Sequence, residues 1–346
     1  MRVVELFGGG GGAWQGLTAA GVDVVRSIEY DEAAHNVAKA AGCPSVLGDV
    51  RNLSLLDGVG AVDLLWSSFP CQAFSTAGKR KGAEDERNGW PWTVAAIDHL
   101  DPTWLMAENV PGLLTHSAEH CGDPVKCPGC YFHRVILPEL RERFAWVGYS
   151  VSNAADFGTP QHRRRVCIVA GPRAVRWPET THAKPEDCMG LFSRRKPWTT
   201  VREALNLDEY VMTAGTTGEG RPTSPTSPTS TLGTKGNAYA IECRRGRADG
   251  SKWEETPDTQ PSPALRVASG GKGCGQWSAN AATRAKWEES SGRRRLTVTE
   301  CRILMGWHER YDAILATQTK TAAYRVLGNG CVPAWVEAHA RAVMEA

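Results

Sequence analysis

The chain has 346 residues, 41% of them hydrophobic and 23% charged, and 40 basic against 38 acidic side chains leave a net charge of +2. This composition is that of a globular chain of about two domains, and no apolar run reaches the roughly 20 residues that a membrane span needs. Glycines come too early for a signal peptide, and eleven cysteines do not indicate a secreted disulfide framework. We therefore expect a cytoplasmic protein, without membrane contact, that keeps its thiols reduced.

Up to residue 170, short apolar runs alternate with segments of helical composition. The predicted strands are Val3–Phe7, Val22–Ile28, Val46–Leu47, Val62–Trp66, Trp104–Ala107, Val151–Ala154 and Val166–Ala170. The predicted helices are Ala13–Ala20, Asp31–Ala41, Trp92–Leu100 and Tyr131–Phe144. This alternation predicts an α/β fold, a Rossmann-like, doubly wound and mainly parallel sheet with helices on both faces. Ligands of such sheets bind at the carboxyl ends of the strands, so the loops after each run are the candidate functional segments.

Regular patterning stops near Gly171, where the chain becomes rich in Pro, Thr, Ser, Gly, Arg and Trp, and returns after about Arg293. Predicted elements beyond this point are strands at Tyr239–Cys243 and Ala264–Val267, a helix over Thr297–Met305 with Thr297 as N-cap and Glu300 at N3, and a terminal helix over Ala334–Glu345. We expect residues 1–170 and 293–346 to form one domain, and residues 171–292 a smaller, irregular one.

Five consecutive glycines, Gly8–Gly12, lie between the first predicted strand and the first helix. Glycine lets a backbone turn tightly and approach a ligand, whose polar groups then meet the amides of the helix end. Glu29 follows Gly12 by seventeen residues, near where dinucleotide-binding folds place an acid for ribose hydroxyls, and Asp49 follows the third strand. A flexible glycine tract beside surface acids is the alternative, but the spacing favours a nucleoside-bearing cofactor.

A cysteine and an acid follow two neighbouring predicted strands. Cys71 stands directly behind Pro70 after the fourth run, and Glu108 ends the fifth. A lone cysteine is usually a buried apolar residue, but one at the carboxyl edge of a sheet is placed to act as a thiolate nucleophile. Thiol and carboxylate together over a nucleoside site therefore indicate covalent catalysis.

Several motifs occur in a fixed order along the chain. They are Phe7–Gly12, Pro70–Gln72, Glu108–Val110, Gln161–Arg165, Arg295–Glu300 with Met305–Trp307, and Gly328–Gly330. Together they resemble the ordered motifs of the DNA cytosine-5 methyltransferases. The resemblance covers residues 1–170 and 293–346 and implies that these form the catalytic domain, while residues 171–292 correspond to the variable target-recognition region of that family.

The resemblance implies a mechanism. Cys71 would add to C6 of a cytosine flipped out of duplex DNA, Glu108 would engage N3, and a methyl group would move from S-adenosylmethionine to C5. Arg163 and Arg165 match arginines that the family places near the flipped base and catalytic loop. The residues implied to contact S-adenosylmethionine are Phe7, Gly8, Gly10, Gly12, Glu29, Asp49, Val50, Pro70, Trp90 and Asn329.

An insert over residues 115–134 carries the spacing C-x5-C-x2-C-x2-H, formed by Cys121, Cys127, Cys130 and His133. A Cys-Pro-Gly-Cys turn presents two thiolates to one ion, as in structural zinc sites. We predict a Cys3His zinc site, with His116 or His120 as substitutes for His133. The alternative is a reduced, cysteine-rich surface loop.

Positive charge is clustered although the net charge is small. The clusters are Lys79–Lys81, Arg163–Arg165, Arg194–Lys196, Arg244–Arg247 and Arg293–Arg295. Beside a base-modifying site they favour contacts with phosphates, so we expect double-stranded DNA as the partner of a chain that acts as a monomer. An RNA cytosine-5 methyltransferase is the first alternative, and the long middle insert favours DNA over it. A catalytically inactive DNA-binding regulator is the second, and intact Cys71, Glu108 and Arg165 argue against it.

Overall fold

A computed structural model describes residues 1–70, 88–116, 120–188, 194–206 and 296–346, together with the backbone of five short strands between residues 211 and 295. The chain divides into two compact units. The first, here called the sheet unit, comprises residues 1–157, 164–180 and 330–346, and the second unit comprises residues 158–163 and 181–329. Residues 296–329 therefore pack within the second unit, whereas the sequence groups them with the catalytic domain.

The sheet unit is built on seven strands. They are β1 (Arg2–Leu6), β2 (Asp23–Glu29), β3 (Ser45–Leu47), β4 (Leu64–Ser67), β5 (Trp104–Asn109), β6 (Trp146–Asn153) and β8 (Arg164–Gly171). Their spatial order is β3-β2-β1-β4-β5-β8-β6. The first five run parallel, whereas β8 is antiparallel to both β5 and β6. The predicted α/β, mainly parallel sheet is confirmed, with an antiparallel hairpin at one edge.

Helices of the described residues follow the predicted alternation. They are α1 (Gly12–Ala19), α2 (Glu32–Ala40), α3 (Trp90–Leu100), α4 (Pro128–Tyr131), α5 (Leu137–Arg143), α6 (Val201–Leu205), α7 (Val298–Leu304), α8 (Tyr311–Ala316), α9 (Lys320–Asn329) and α10 (Pro333–Met344). A π-helical turn at Phe132–Ile136 joins α4 to α5, so residues 128–143 form one helical segment. None of these helices is long and apolar enough to cross a membrane.

The boundaries of the helices have local causes. Asp31 caps α2 by accepting a hydrogen bond from the Ala34 amide at 3.0 Å. The predicted capping box at α7 is confirmed, because Thr297 and the Glu300 side chain each accept from the other's backbone amide. Within the sheet unit α10 packs beside α1, where Arg341 donates to the Ala19 carbonyl at 2.7 Å.

A buried core fixes the strand ends in the sheet unit. It includes Val4, Leu6, Ile28, Leu65, Phe69, Leu105, Ala107, Phe132, Leu140 and Ile168. Side chains from both faces of β1, β4 and β5 are buried, as expected of parallel strands covered on both faces. The loops at their carboxyl ends therefore start from rigid positions.

The second unit contains the helices α6 to α9 and several short strands. The strands are β7 (Gln161–His162), β9 (His182–Ala183), β10 (Lys196–Pro197), β11 (Val211–Ala214), β12 (Arg221–Thr223), β13 (Thr229–Ser230), β14 (Tyr239–Glu242) and β15 (Arg293–Arg295). An antiparallel sheet has the order β12-β11-β14-β15, and β13 pairs with β7. The strand predicted at Tyr239–Cys243 is confirmed, whereas Ala264–Val267 lies outside the described residues.

Candidate active site and metal cluster

The glycine loop follows β1, and its first residue, Gly8, lies against β2 with no room for a side chain. The Gly8 amide donates to the Ile28 carbonyl at 3.0 Å. A Cβ on Gly8 would stand 2.0 Å from Ser27 Oγ, and Gly9 and Gly11 have φ values of 57° and 90°, in the left-handed region. The loop ends at α1, where Gly12 is the first helical residue. A ligand can therefore contact only the backbone groups of Gly8, Gly10 and Gly12.

Glu29 fastens this loop from the end of β2. Its Oε2 accepts a hydrogen bond from the Gly9 amide and its Oε1 accepts one from the Asp31 amide, both at 2.7 Å. The side chain is buried, and burial raises the pKa of the carboxyl. The Tyr30 amide also contributes a hydrogen bond to this carboxyl. A carboxylate has about four acceptor positions, so acceptor capacity remains for a sugar hydroxyl.

Asp49 and Val50, which follow β3, have different surroundings: one is in an ion pair and the other contacts the core. Asp49 accepts hydrogen bonds from Arg51, whose Nη2 lies 2.6 Å from Oδ2, and this pair lowers the pKa of Asp49. Val50 packs against the core of the sheet unit. Tyr30, directly after Glu29, was not selected from the sequence, yet this residue is 71% exposed. An aromatic residue following the acid at a strand end is the signal that would have identified it.

A second acid, Glu5, is fully buried on β1 beneath the glycine loop. A Cβ on Gly8 would lie 3.3 Å from Glu5 Oε2, so this carboxyl closes the space behind the loop. Burial, with a further contribution from the charge of Glu29, raises the pKa of Glu5 from 4.5 to about 8. Glu5 is therefore mostly protonated at neutral pH.

Glu5→Gln is expected to remove a pH dependence of stability. Since the pKa of Glu5 is higher in the folded chain than the ordinary value of 4.5, the unfolded chain loses this proton first, and stability falls as the pH rises from about 4.5 towards 8. Between pH 5.5 and 8.5 the wild type should lose about 3 kcal/mol more of its free energy of unfolding than the variant, as measured by urea denaturation. Equal losses in the two proteins would contradict this.

The carboxyl ends of β4 and β5 are tied together directly before Cys71. Asn109 donates from Nδ2 to the Phe69 carbonyl at 3.1 Å and is 2% exposed. Cys71 itself lies within residues 71–87, outside the described residues. Asn109 was not selected from the sequence, and its place next to Glu108 at a strand end was the available signal. The contact holds the backbone that leads into Cys71.

Glu108 forms an ion pair with Arg165 on the adjacent strand β8. Arg165 Nε lies 2.6 Å from Glu108 Oε1, and the two side chains are only 14% and 13% exposed. Glu108 stands opposite Cys167 in the register of β5 and β8. Two of the predicted catalytic residues are thus in contact within the sheet unit, and the guanidinium fixes the orientation of the carboxylate.

Arg163 lies in the second unit and is 4% exposed. Both its terminal nitrogens donate to the Gly328 carbonyl at 3.3 Å. Two of the sequence motifs therefore meet here, since Gly328 precedes Asn329, the last residue of α9. The contact between Arg163 and the Gly328 carbonyl therefore holds the end of α9, where Asn329 lies.

The predicted cofactor residues Phe7 and Pro70 share one neighbour. A Cβ placed on Gly89 would lie 2.6 Å from Pro70 Cδ and 2.9 Å from Phe7 Cζ. The ring of Trp90, by contrast, is not accessible to a ligand. Trp90 is 1% exposed, and its indole Nε1 donates to Glu139 Oε2 at 2.5 Å. Trp90 packs edge-on against Phe69, and core packing leaves no face of this ring open to a ligand. This geometry gives no support to the predicted cofactor contact of Trp90.

The three cysteines of the insert surround one imidazole nitrogen. His116 Nδ1 lies 3.7 Å from Cys121 Sγ, 3.7 Å from Cys127 Sγ and 3.5 Å from Cys130 Sγ. One lone pair cannot accept three thiol protons, whereas a tetrahedral ion with ordinary zinc bond lengths separates its sulfur and nitrogen ligands by about 3.6 Å. The ligand atoms of His116, Cys121 and Cys130 all lie within 4.8 Å of one another, and Cys127 Sγ is equally near His116 Nδ1, so these donors could hold one metal ion.

His116, rather than His133, is the histidine that the described residues place among these thiols. The His133 ring stacks parallel to that of His116, with centroids 5.7 Å apart, and also packs edge-on against Phe132. His133 lies three residues after Cys130, but its nitrogens are not among the clustered donor atoms, which include those of His116, Cys121 and Cys130. This geometry favours His116, the first of the two substitutes, over His133 as the fourth ligand.

Of the basic clusters outside the arginine motif, only Arg194–Lys196 has described side chains, and all three are exposed. Lys79–Lys81 and Arg244–Arg247 lie outside the described residues, and Arg293–Arg295 is described only as the backbone of β15. Contact of these clusters with DNA stays a prediction.

Comparisons with known proteins agree with this geometry. Residues 1–345 match the family model of the C-5 cytosine-specific DNA methylases. The type II methyltransferase M.AquIA of Picosynechococcus sp. is 29% identical over 228 residues, which cover 59% of this chain and 88% of that protein. M.NaeI of Lentzea aerocolonigenes is 34% identical over 193 residues, covering 54% of this chain but 44% of that protein. The chain thus matches about half the length of relatives such as M.NaeI and M.NgoBI.

Solved structures share the fold over nearly the whole chain. The Dnmt2 methyltransferase of S. pombe superposes with a TM-score of 0.60 at 18% identity, covering 99% of this chain and 97% of that one. A putative DNA modification methyltransferase encoded within an E. coli prophage gives a TM-score of 0.57 at 18% identity, covering 100% and 99%. At such low identity the likeness extends to the fold alone.

Proposed function

The chain belongs to the C-5 cytosine-specific DNA methylase family, and from this premise we propose that it transfers the methyl group of S-adenosylmethionine to C5 of a cytosine in double-stranded DNA. The observation that carries the proposal is the edge formed by β4 and β5. There Glu108 is held by Arg165, and Asn109 holds the backbone two residues before Cys71. An oriented acid and a candidate nucleophile are thus supplied by adjacent strand ends.

The reaction follows from the chemistry of these side chains. The Cys71 thiolate forms a bond to C6 of the pyrimidine while N3 takes up a proton, and the N3–H donates to the Glu108 carboxylate, so that electron density builds up at C5. C5 then takes the methyl group, whose bond to the donor sulfur breaks so that S-adenosylhomocysteine leaves. A base removes the C5 proton, and the C6–S bond breaks to return the thiolate. The target base has to leave the stacked duplex first, because its ring faces are otherwise inaccessible.

The cofactor pocket is assigned to the carboxyl ends of β1, β2 and β3. S-adenosylmethionine supplies an electrophilic methyl group and carries an adenosine with a ribose hydroxyl that suits the remaining acceptor capacity of Glu29. Amides of the glycine loop line the same edge, and the exposed residue Tyr30 offers the flat apolar face of its ring to the adenine. Phe7, Asp49, Val50 and Pro70 complete the proposed set within the sheet unit, and a cofactor contact of Asn329 stays a prediction from the sequence.

DNA is favoured over RNA as the substrate by two observations. The matched relatives M.AquIA and M.NaeI are type II methyltransferases by name. Residues 171–292, the proposed target-recognition domain, add strands outside the catalytic sheet, which sequence readout in a duplex groove requires. The exposed cluster Arg194–Lys196 is assigned to phosphate contacts of a chain acting as a monomer.

The metal cluster is assigned to a structural zinc ion bound by Cys121, Cys127, Cys130 and His116. Three thiolates and one imidazole are the soft donors that zinc prefers, and four protein ligands leave no open position for hydrolytic chemistry. The Gly122 amide, 3.1 Å from Cys130 Sγ, donates to this sulfur and stabilises a thiolate there.

The proposed function is tested by expressing the chain in cells that lack cytosine methylation and sequencing their DNA after bisulfite treatment. Protected cytosines confined to one short sequence are the expected result, and they identify the target site. Purified protein is then incubated with radiolabelled S-adenosylmethionine and either that duplex or an RNA of the same sequence. Incorporation into RNA alone would favour the RNA alternative, and no incorporation into either would favour the inactive regulator.

A further inference from the structure

The two ends of the segment that contains Cys71 lie against each other. Pro70 precedes this segment, residues 71–87, and Asn88 and Gly89 follow it. Gly89 is packed so closely on Pro70 that a Cβ there would lie 2.6 Å from Pro70 Cδ. Whatever holds Asn88 and Gly89 in place therefore also defines the base of the segment that contains Cys71.

One helical segment, residues 128–143, holds the residues on both sides of Gly89. Asn88 donates from Nδ2 to the Tyr131 hydroxyl at 2.9 Å, and Trp90 donates from Nε1 to Glu139 at 2.5 Å. Asn88 is 5% exposed and Tyr131 is 4% exposed. Because both side chains are buried, this hydrogen bond is shielded from water, and its loss is costly in a protein interior.

The same helical segment begins at the metal cluster. Cys130 directly precedes Tyr131, and Cys127 immediately precedes α4. The Gly129 amide donates to the Thr115 carbonyl at 3.1 Å, and a Cβ on Gly129 would lie 3.0 Å from the His116 backbone nitrogen. Tyr131 is thus placed by a helical turn whose position is set by the residues that surround the metal site.

We propose that Tyr131, acting through Asn88, is a positioning residue that links the metal cluster to the base of the segment containing Cys71. It touches neither substrate nor cofactor; it determines where that segment ends. This proposal deepens the proposed function and rests on it for the role of Cys71. The Asn88–Tyr131 contact and its dependence on the cluster are independent of any activity.

The first test is hydrogen exchange of the full, zinc-loaded chain without substrates. In Tyr131→Phe, amides of peptides covering residues 88–100 should exchange about 10-fold faster, as expected for loss of one buried hydrogen bond. The metal-ligand variant His116→Asn should accelerate the same peptides. Tyr324→Phe is the matched control, because it removes a hydroxyl that donates to the Leu296 carbonyl at 2.6 Å in the second unit. It should leave residues 88–100 unchanged.

The second test separates positioning from general destabilisation by kinetics. Tyr131→Phe should lower kcat about 10-fold while changing KM for S-adenosylmethionine less than about twofold, and in an Asn88→Ala background it should cause no further loss. A variant that is merely destabilised would instead contain fewer folded molecules, and each folded molecule would keep the wild-type kcat and KM.

Unchanged exchange at residues 88–100 in either Tyr131→Phe or His116→Asn would overturn the proposal, and so would independent, multiplicative effects of Tyr131→Phe and Asn88→Ala on kcat. If the wild-type chain methylates no nucleic acid but the exchange results appear as expected, the proposed function fails and the link between cluster and segment stands.

Discussion

Cys71→Ser is expected to lower methyl transfer to the target duplex at least about 10³-fold while leaving the fold intact. A serine hydroxyl is far less ionised than a thiol at neutral pH and is a weaker nucleophile towards C6, so C5 is no longer activated. Radiolabel transfer from S-adenosylmethionine measures the rate. Cofactor affinity, measured by calorimetry, should change little, because the proposed cofactor residues are left in place.

A duplex containing 5-fluorocytosine at the target position gives a direct readout of the bond to Cys71. The wild type should accumulate a covalent complex that survives denaturation, since fluorine at C5 cannot be removed as a proton is. Cys71→Ser should form none, whereas the control Cys188→Ser, which changes a thiol 3.8 Å from the Ala183 carbonyl in the second unit, should form it normally. Retained activity or retained trapping in Cys71→Ser would contradict the mechanism.

Loss of one metal ligand is expected to have the second largest effect, in this case on stability. The wild type should contain about one equivalent of zinc by elemental analysis, and Cys130→Ser should contain less than about half an equivalent. The free energy of unfolding should fall by about 3 kcal/mol or more, because Cys130 is buried at the start of the segment that packs on the sheet. Chelation of the wild type should lower its melting temperature in the same direction.

The two histidines provide a matched comparison for the same site. His116→Asn should lose zinc, whereas His133→Asn should keep it, since His133 only stacks on the His116 ring. Loss of zinc in His133→Asn alone would restore the ligand set predicted from the sequence spacing. A wild-type chain without zinc would show that the four donors form a reduced cysteine-rich loop.

Much of the fold was predictable because it depends on local patterns. Alternating apolar runs and helical segments placed all seven strands of the sheet, and the Thr297–Glu300 capping box appeared where the spacing predicted it. Glu29 and Glu108 stand at the ends of predicted strands, and they became candidate site residues by the rule that ligands bind at the carboxyl ends of strands in such sheets. These features are encoded within a few neighbouring residues.

The roles of several side chains depended instead on contacts between distant segments. Counting residues led to His133 as the fourth metal ligand, but the tertiary structure brings Nδ1 of His116 to within 3.7 Å of all three thiol sulfurs. Trp90 matched a cofactor position, yet packing against Phe69 and Glu139 buries it.

The sequence by itself determined the fold class, the order of the motifs and the residue types available for catalysis. The spacing of hydrophobic residues, the glycine loop and the helix caps each depend on residues that are close together in the chain. Only the tertiary structure decided that Arg165 pairs with Glu108, that Asn109 holds the backbone before Cys71 and that Tyr131 holds Asn88. The last two join residues about 40 positions apart in the sequence, and the first joins residues further apart still. No local pattern specifies such partners, which are selected when the sheet and its covering helices bury polar groups that must then be hydrogen-bonded.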